Sequence, residues 1–247
     1  MKVLATYNIK GGVGKTATAV NLAYLAAAEG ARTLVWDLDP QGAASFYFRV
    51  KPRVKGGSEA LITGRRALDR AIKGTDYDNL DLIPADFSYR NMDLELGGAK
   101  KRTRRIDLLL RPMAKHYDYV ILDCPPSISL VSENVFQAVN ALIVPLIPTT
   151  LSIRTFDQLQ AFLADNPGRK TRKVLAFFSM VDMRKNLHRE LMSEMALPSR
   201  DVLDVRIPAT SDIERMGVNR APLPAFAPKS RSASAYQSLW TEIKSRL

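Results

Sequence analysis

The stretch Asn8-Ile9-Lys10-Gly11-Gly12-Val13-Gly14-Lys15-Thr16 sets two lysines and a threonine hydroxyl among three glycines. Residues of these types suit one task above others, the capture of an anion that carries several oxygens. Glycines let successive backbone N–H groups turn toward the anion, a lysine reaches its outer oxygens, and a hydroxyl can hold a divalent cation beside it. The usual phosphate-loop pattern, G-x-x-x-x-G-K-[ST], needs a glycine at position 9, yet Ile9 stands there and a second lysine, Lys10, follows it. Loop geometry alone gives that second cation no role.

Such a loop works where a strand feeds it and a helix leaves it. Residues 3–7 form a short apolar run that reads as the strand, and residues 15–29, alanine-rich and stopped by Gly30, read as the helix. Further apolar runs at 33–36, 80–83, 119–122, 141–144 and 174–178 read as strands with both faces covered. Helical patterns lie between and after them, at about 104–116, 130–139, 151–164, 187–196, 211–217 and 232–246. The alternation predicts an α/β fold, a mostly parallel twisted sheet flanked by helices on both faces, as a single domain over 1–247. Asp123 then stands at the carboxyl end of a strand, where open α/β sheets bind their ligands.

The sequence resembles the deviant Walker ATPases of the ParA/MinD type, whose loop reads K-G-G-x-G-K-[ST], as residues 10–16 do here. "DLDPQG" at 37–42, "YDYVILDCPPS" at 117–127, "SMVDMRKN" at 179–186, "IPATSDI" at 207–213 and "PKSRSASAYQSL" at 228–239 match further blocks in the family's order. The resemblance implies a deviant-type P-loop NTPase that uses ATP and Mg²⁺. It gives Lys10 a role: this is similar to the signature lysine, which crosses a dimer interface to the nucleotide of the other subunit. Two ATP molecules are then sandwiched between two subunits. Lys10, Lys15, Asp39 and Asp123 are the implied catalytic residues. Lys10, Gly11, Gly12, Val13, Gly14, Lys15, Thr16 and Ala17 are the implied phosphate cradle. Thr16, Asp39 and Asp123 are the implied Mg²⁺ residues, Asp123 through water, with Asp39 also placing the attacking water. Asp37 has two readings, a third carboxylate of the site or a brace for its loop. The adenine is expected near Ser179 and Pro208, although Ser179 replaces the asparagine of relatives such as MinD.

Charge points to a partner. The 36 basic and 25 acidic residues leave a net charge of +11, which favours contact with a polyanion. Basic residues crowd 100–105 and 169–173, and Arg184, Arg206, Arg215, Arg220, Lys229 and Arg231 follow in the last third. The resemblance implies that these last six contact DNA without sequence preference and that a ParB-like or cargo-adaptor protein activates hydrolysis. It implies a partition or positioning ATPase, cytoplasmic and associated with the nucleoid. The alternative is a membrane-associated spatial regulator of the MinD kind, because Ala235, Tyr236, Leu239, Trp240, Ile243 and Leu247 share one helical face. A docked terminal helix, with no stable membrane association, is the expectation. One cysteine, Cys124, excludes an internal disulfide and falls short of the two per subunit that a four-iron cluster shared by a homodimer needs. It is expected to be a small buried thiol.

Overall fold

The computed structural model describes residues 1–166, 172–195 and 202–247. The chain opens with β1 (Lys2–Thr6), α1 (Lys15–Ala28), β2 (Thr33–Asp37), α2 (Ala43–Tyr47) and α3 (Gly57–Thr63). There follow β3 (Lys73–Gly74), β4 (Leu80–Ile83), α4 (Met92–Gly97), α5 (Arg105–Leu110), β5 (Tyr119–Asp123) and α6 (Leu130–Ala138). The remainder holds β6 (Ala141–Leu146), α7 (Thr150–Asp165), β7 (Lys173–Val181), α8 (Asn186–Met195), β8 (Val202–Pro208), α9 (Ser211–Asn219), α10 (Leu223–Phe226) and α11 (Arg231–Arg246).

The strands form one sheet in the order β3-β4-β2-β5-β1-β6-β7-β8, parallel except for the short edge strand β3. β1 lies between β5 and β6, so the loop after it leaves the middle of the sheet. Successive strand residues face opposite layers. Val3 and Ala5 join the core beneath α3 to α8, whereas Leu4 joins the core beneath α1 and α9 to α11. That two-sided burial is why these strands read as continuous apolar runs.

The last strand escaped that reading. β8 alternates instead, with Leu203 and Ile207 buried and Asp204 and Arg206 exposed, because it is an edge strand. The helix expected over 104–116 is divided. α5 ends at Leu110, and Arg111–Lys115 continue as a 3₁₀ turn that contains Pro112. Proline offers no N–H and its ring crowds the preceding turn. Residue 196 of another expected helix, and Arg169 and Lys170 of a basic cluster, lie outside the described residues.

The terminal helix docks as expected. Tyr236, Leu239, Trp240 and Ile243 of α11 are buried against α1 and β8. The apolar face that a membrane-bound reading would need is covered. Among the described residues no helix is long and apolar enough to cross a membrane.

Candidate functional site

Three strands bring the site's polar residues into one row. In the register of β1 and β2 on β5, Thr6 and Asp37 both pair with Asp123, at the carboxyl ends of the central strands. All three are fully buried. The Thr6 hydroxyl donates to Asp123 Oδ1 at 3.3 Å, while Asp123 Oδ2 has no hydrogen-bond partner among the described residues. Burial, with Asp37 adjacent, pushes the Asp123 carboxyl well above the usual carboxylate range, and the Thr16 hydroxyl pulls against that rise. An uncompensated carboxylate oxygen in so dry a place is costly unless it serves a cation or its water shell.

Asp37 is braced. Its Oδ2 accepts from both Ser45 N–H at 2.8 Å and Ser45 Oγ at 2.7 Å, and Ser45 Oγ in turn accepts from Ala85 N–H at 2.9 Å. Burial raises its carboxyl to about 6. These bonds carry the brace reading: they tie β2 to the start of α2 and to the end of β4. Asp39 is different, half-buried in the intervening loop. Its Oδ1 accepts from Gln41 N–H at 2.9 Å, and its carbonyl accepts from Gly42 N–H at the same distance.

The glycine loop has the conformation that its sequence implies. Gly12 and Gly14 sit at φ +70° and +94°, and a Cβ on Gly14 would lie 3.0 Å from Ser179 Oγ. Only glycine meets both conditions without strain. Asn8 anchors the entry, its Nδ2 donating to the Pro145 carbonyl at 2.8 Å and its Oδ1 accepting from Lys10 N–H at 2.9 Å. Lys15 Nζ donates to the Lys10 carbonyl at 3.1 Å, which folds its ammonium across the loop. Burial lowers its pKa, opposed by the charges of Asp123 and Asp39. At the start of α1 no side chain caps the backbone N–H groups among the described residues, so the positive helix end faces the loop.

This donor set fits a phosphate chain carrying a divalent cation. The uncapped amides and Lys15 suit the phosphates, and Thr16, Asp123 and Asp39 suit the cation. Among the described residues no group of three or more His, Cys, Asp or Glu forms a ready metal cage. A cation here must complete its shell with phosphate oxygens and water, as Mg²⁺ commonly does.

The other expected residues fall beside this centre. Val181, Met183, Arg184, Arg206, Pro208 and Arg231 line a cavity of about 470 Å³, so the residues expected at the adenine and some of those expected on DNA share one wall. Ser179 is not among its lining residues; it is buried against Gly14. Arg184 is held by Asp182, with Nε at 2.9 Å and Nη2 at 3.0 Å from its carboxylate oxygens. Arg220 donates to the Phe46 carbonyl at 3.2 Å and stacks on that ring at 4.6 Å, tying the end of α9 to α2. Arg206, Arg215, Lys229 and Arg231 are exposed without ion pairs among the described residues. Cys124 is buried, as expected. The sequence assigns no role to Thr6, Asn8 or Ser45. Asn8 stood within the loop motif, but nothing in the sequence marked Thr6 or Ser45 as partners of carboxylates on other segments.

Comparison with known proteins finds relatives over nearly the whole chain. A family model described as AAA domain matches residues 1–175. Chromosome partitioning protein ParA of Caulobacter vibrioides is 31% identical over 258 residues, covering 100% of this chain and 95% of that protein. Sporulation initiation inhibitor protein Soj of Bacillus subtilis is 31% identical over 252 residues, 98% of either chain. Among solved structures, cobyrinic acid a,c-diamide synthase from Mycobacterium smegmatis, with bound ADP and magnesium, superposes with a TM-score of 0.83. It is 27% identical, over 98% of this chain and 93% of that one.

Proposed function

This chain belongs to the ParA/MinD family of P-loop ATPases, and from that premise we propose that it is a partition or positioning ATPase that dimerises around ATP. In this reading the single ATPase domain over 1–247 binds DNA without sequence preference once dimeric. A ParB-like or cargo-adaptor protein, bound to the cargo, releases it by stimulating hydrolysis. It acts in the cytoplasm, on the nucleoid. The likeness to Soj and ParA supports the partition role, and the buried face of α11 leaves the membrane alternative without an observation in its favour.

One observation carries the dimer: the two loop lysines differ in what they touch. Lys15 is buried and bonded within its own loop, whereas the half-exposed Lys10 has no side-chain partner among the described residues. A cation supplied by a second copy couples nucleotide state to association and adds positive charge where the transition state needs it.

The residues divide the work. Loop amides from Gly11 to Ala17 and the Lys15 ammonium bind and orient the phosphates. Mg²⁺, when held by Thr16, Asp39 and Asp123, supplies charge neutralisation to the phosphate oxygens. Asp39, half-buried, orients the attacking water, and Asp37 with Ser45 holds the Asp39 loop in place. Pro208 and Met183 offer the adenine an apolar wall.

Light scattering with ATP and Mg²⁺ tests this. Lys15→Ala should abolish nucleotide binding. Lys10→Ala should retain binding but lose ATP-dependent dimerisation, with hydrolysis reduced at least about a hundredfold. A Lys10→Ala protein that dimerises and hydrolyses as wild type does would overturn the sandwich.

A further inference from the structure

The strongest unassigned feature lies at the other edge of the sheet. Lys51, Arg53, Lys55, Arg66, Arg70 and Lys73 line a cavity of about 750 Å³ between the loop after α2, the segment after α3 and β3. None of the six is in an ion pair among the described residues. Arg49, also on its wall, is engaged with Asp76 at 3.1 Å. Among the described residues the one acidic side chain on the wall, Asp86, has its carboxylate occupied by Val54 N–H at 2.8 Å and Ser88 N–H at 2.9 Å. Like charges crowded on a concave wall repel one another, and that single carboxylate offsets only part of the six.

We propose that this basic cavity is a binding site for a small, multiply phosphorylated ligand, distinct from the glycine loop.

Arg66 supplies the second observation. Its guanidinium is held by a hydrogen bond from Nη2 to the Arg70 carbonyl, and its Nε is buried with no acceptor among the described residues. A guanidinium held on one side is the group best shaped for phosphate oxygens. The size of the cavity falls within the range of small-molecule sites, roughly 300–1,000 Å³. Among the described residues no aromatic side chain lines it, so no surface is offered there for a base to stack on, and its apolar wall consists of Val50, Val54 and Ala71. The ligand chemistry that fits is dense anionic charge with little ring surface. Position separates this site from the proposed DNA contacts. β3 and β8 are the two opposite edges of the sheet, about 34 Å apart at the usual strand spacing.

Calorimetric titration of the full chain with inorganic tripolyphosphate tests the assignment, the glycine loop being filled beforehand with a non-hydrolysable ATP analogue and Mg²⁺. One equivalent should bind, and affinity should fall as salt rises. Arg66→Gln should weaken it about tenfold or more. So should the double variant Arg53→Gln/Lys55→Gln, whose exposed positions leave the fold and the ATPase rate intact. Arg206→Gln, at the opposite edge, should bind tripolyphosphate as wild type does. Binding that disappears once nucleotide fills the loop, or that survives both cavity variants unchanged, overturns the proposal. So does a short DNA duplex that displaces tripolyphosphate and loses affinity with the same variants, because the cavity is then part of a nucleic-acid surface.

Discussion

Burial separates the three carboxylates of the site. Asp123 and Asp37 are enclosed at strand ends, and each keeps one oxygen with no partner among the described residues, so their substitution changes the fold's energy as well as its chemistry. Asp39 stands clear of both problems. It is half-buried and its loop is closed by backbone bonds from Gln41 and Gly42, of which only the Gln41 bond uses the carboxylate. Asp39→Ala should therefore leave ATP affinity within about threefold, because the loop amides and Lys15 remain, and lower the single-turnover rate roughly 10²–10³-fold. Nucleotide titration beside quenched-flow hydrolysis, with DNA and activator present, separates the two; unchanged turnover would return water positioning to Asp37 or Asp123. Residue type and spacing singled out Lys15, Thr16 and Asp123 as candidates, whereas Lys10 gained a role only from the family resemblance. They could not find Thr6 on Asp123 or Ser45 on Asp37, because strand register and the fold of α2 make those contacts.

Among the elements, α11 shows how an amphipathic pattern becomes an address. Its apolar stripe was legible, and so was the prediction that it packs on the body, but the partner was not. Glu29, just past α1, accepts from Lys244 Nζ at 2.6 Å, Trp240 Nε1 at 3.0 Å and Gln237 Nε2 at 3.4 Å. Burial pushes its carboxyl up, and the bonds from Lys244 and Trp240 outweigh that and hold it below its usual 4.5. A carboxyl so depressed stabilises the fold above its unfolded value, and that contribution is lost as pH falls through the folded one. Glu29→Gln should lower stability at pH 7 by about 0.5 kcal/mol, the group being partly exposed to solvent. The difference from wild type should shrink in thermal melts as pH falls below 4.5, and a difference unchanged down to pH 3 would remove the carboxylate as its cause. The same limits of pattern reading explain β8 and α5. An edge strand with one wet face has no continuous apolar run, and the effect of Pro112 on its helix is a local steric event within a good helical period.

At the scale of the whole molecule the net charge of +11 is legible from composition, but its division between two edges of the sheet is not. The proposed DNA surface belongs to the β7–β8 edge and the helices after it. Its six candidate residues are not equivalent there. Arg184 is held by Asp182 and Arg220 is stacked on Phe46, four residues after Gly42, so neutralising either also disturbs a structural contact. Arg206, Arg215 and Lys229 carry no such duty among the described residues, which makes their combined replacement by glutamine the clean test. Each phosphate contact removed should reduce the salt dependence of log affinity by about 0.9, so the triple variant should lose about 3 from that slope for each subunit of the dimer whose three residues touch phosphate. ATP binding and ATP-dependent dimerisation should persist, because none of the three lies in the loop or beside its carboxylates and only Arg206 shares the Pro208 cavity. Fluorescence anisotropy with duplexes of unrelated sequence, across a salt series and with ATP present, reads both slope and sequence preference. Equal affinity for all duplexes with the reduced slope supports a phosphate-reading surface at this edge. A sequence-specific footprint, or a triple variant whose slope matches wild type, would move the DNA contacts off this edge, with the cations around Arg66 the next surface to neutralise.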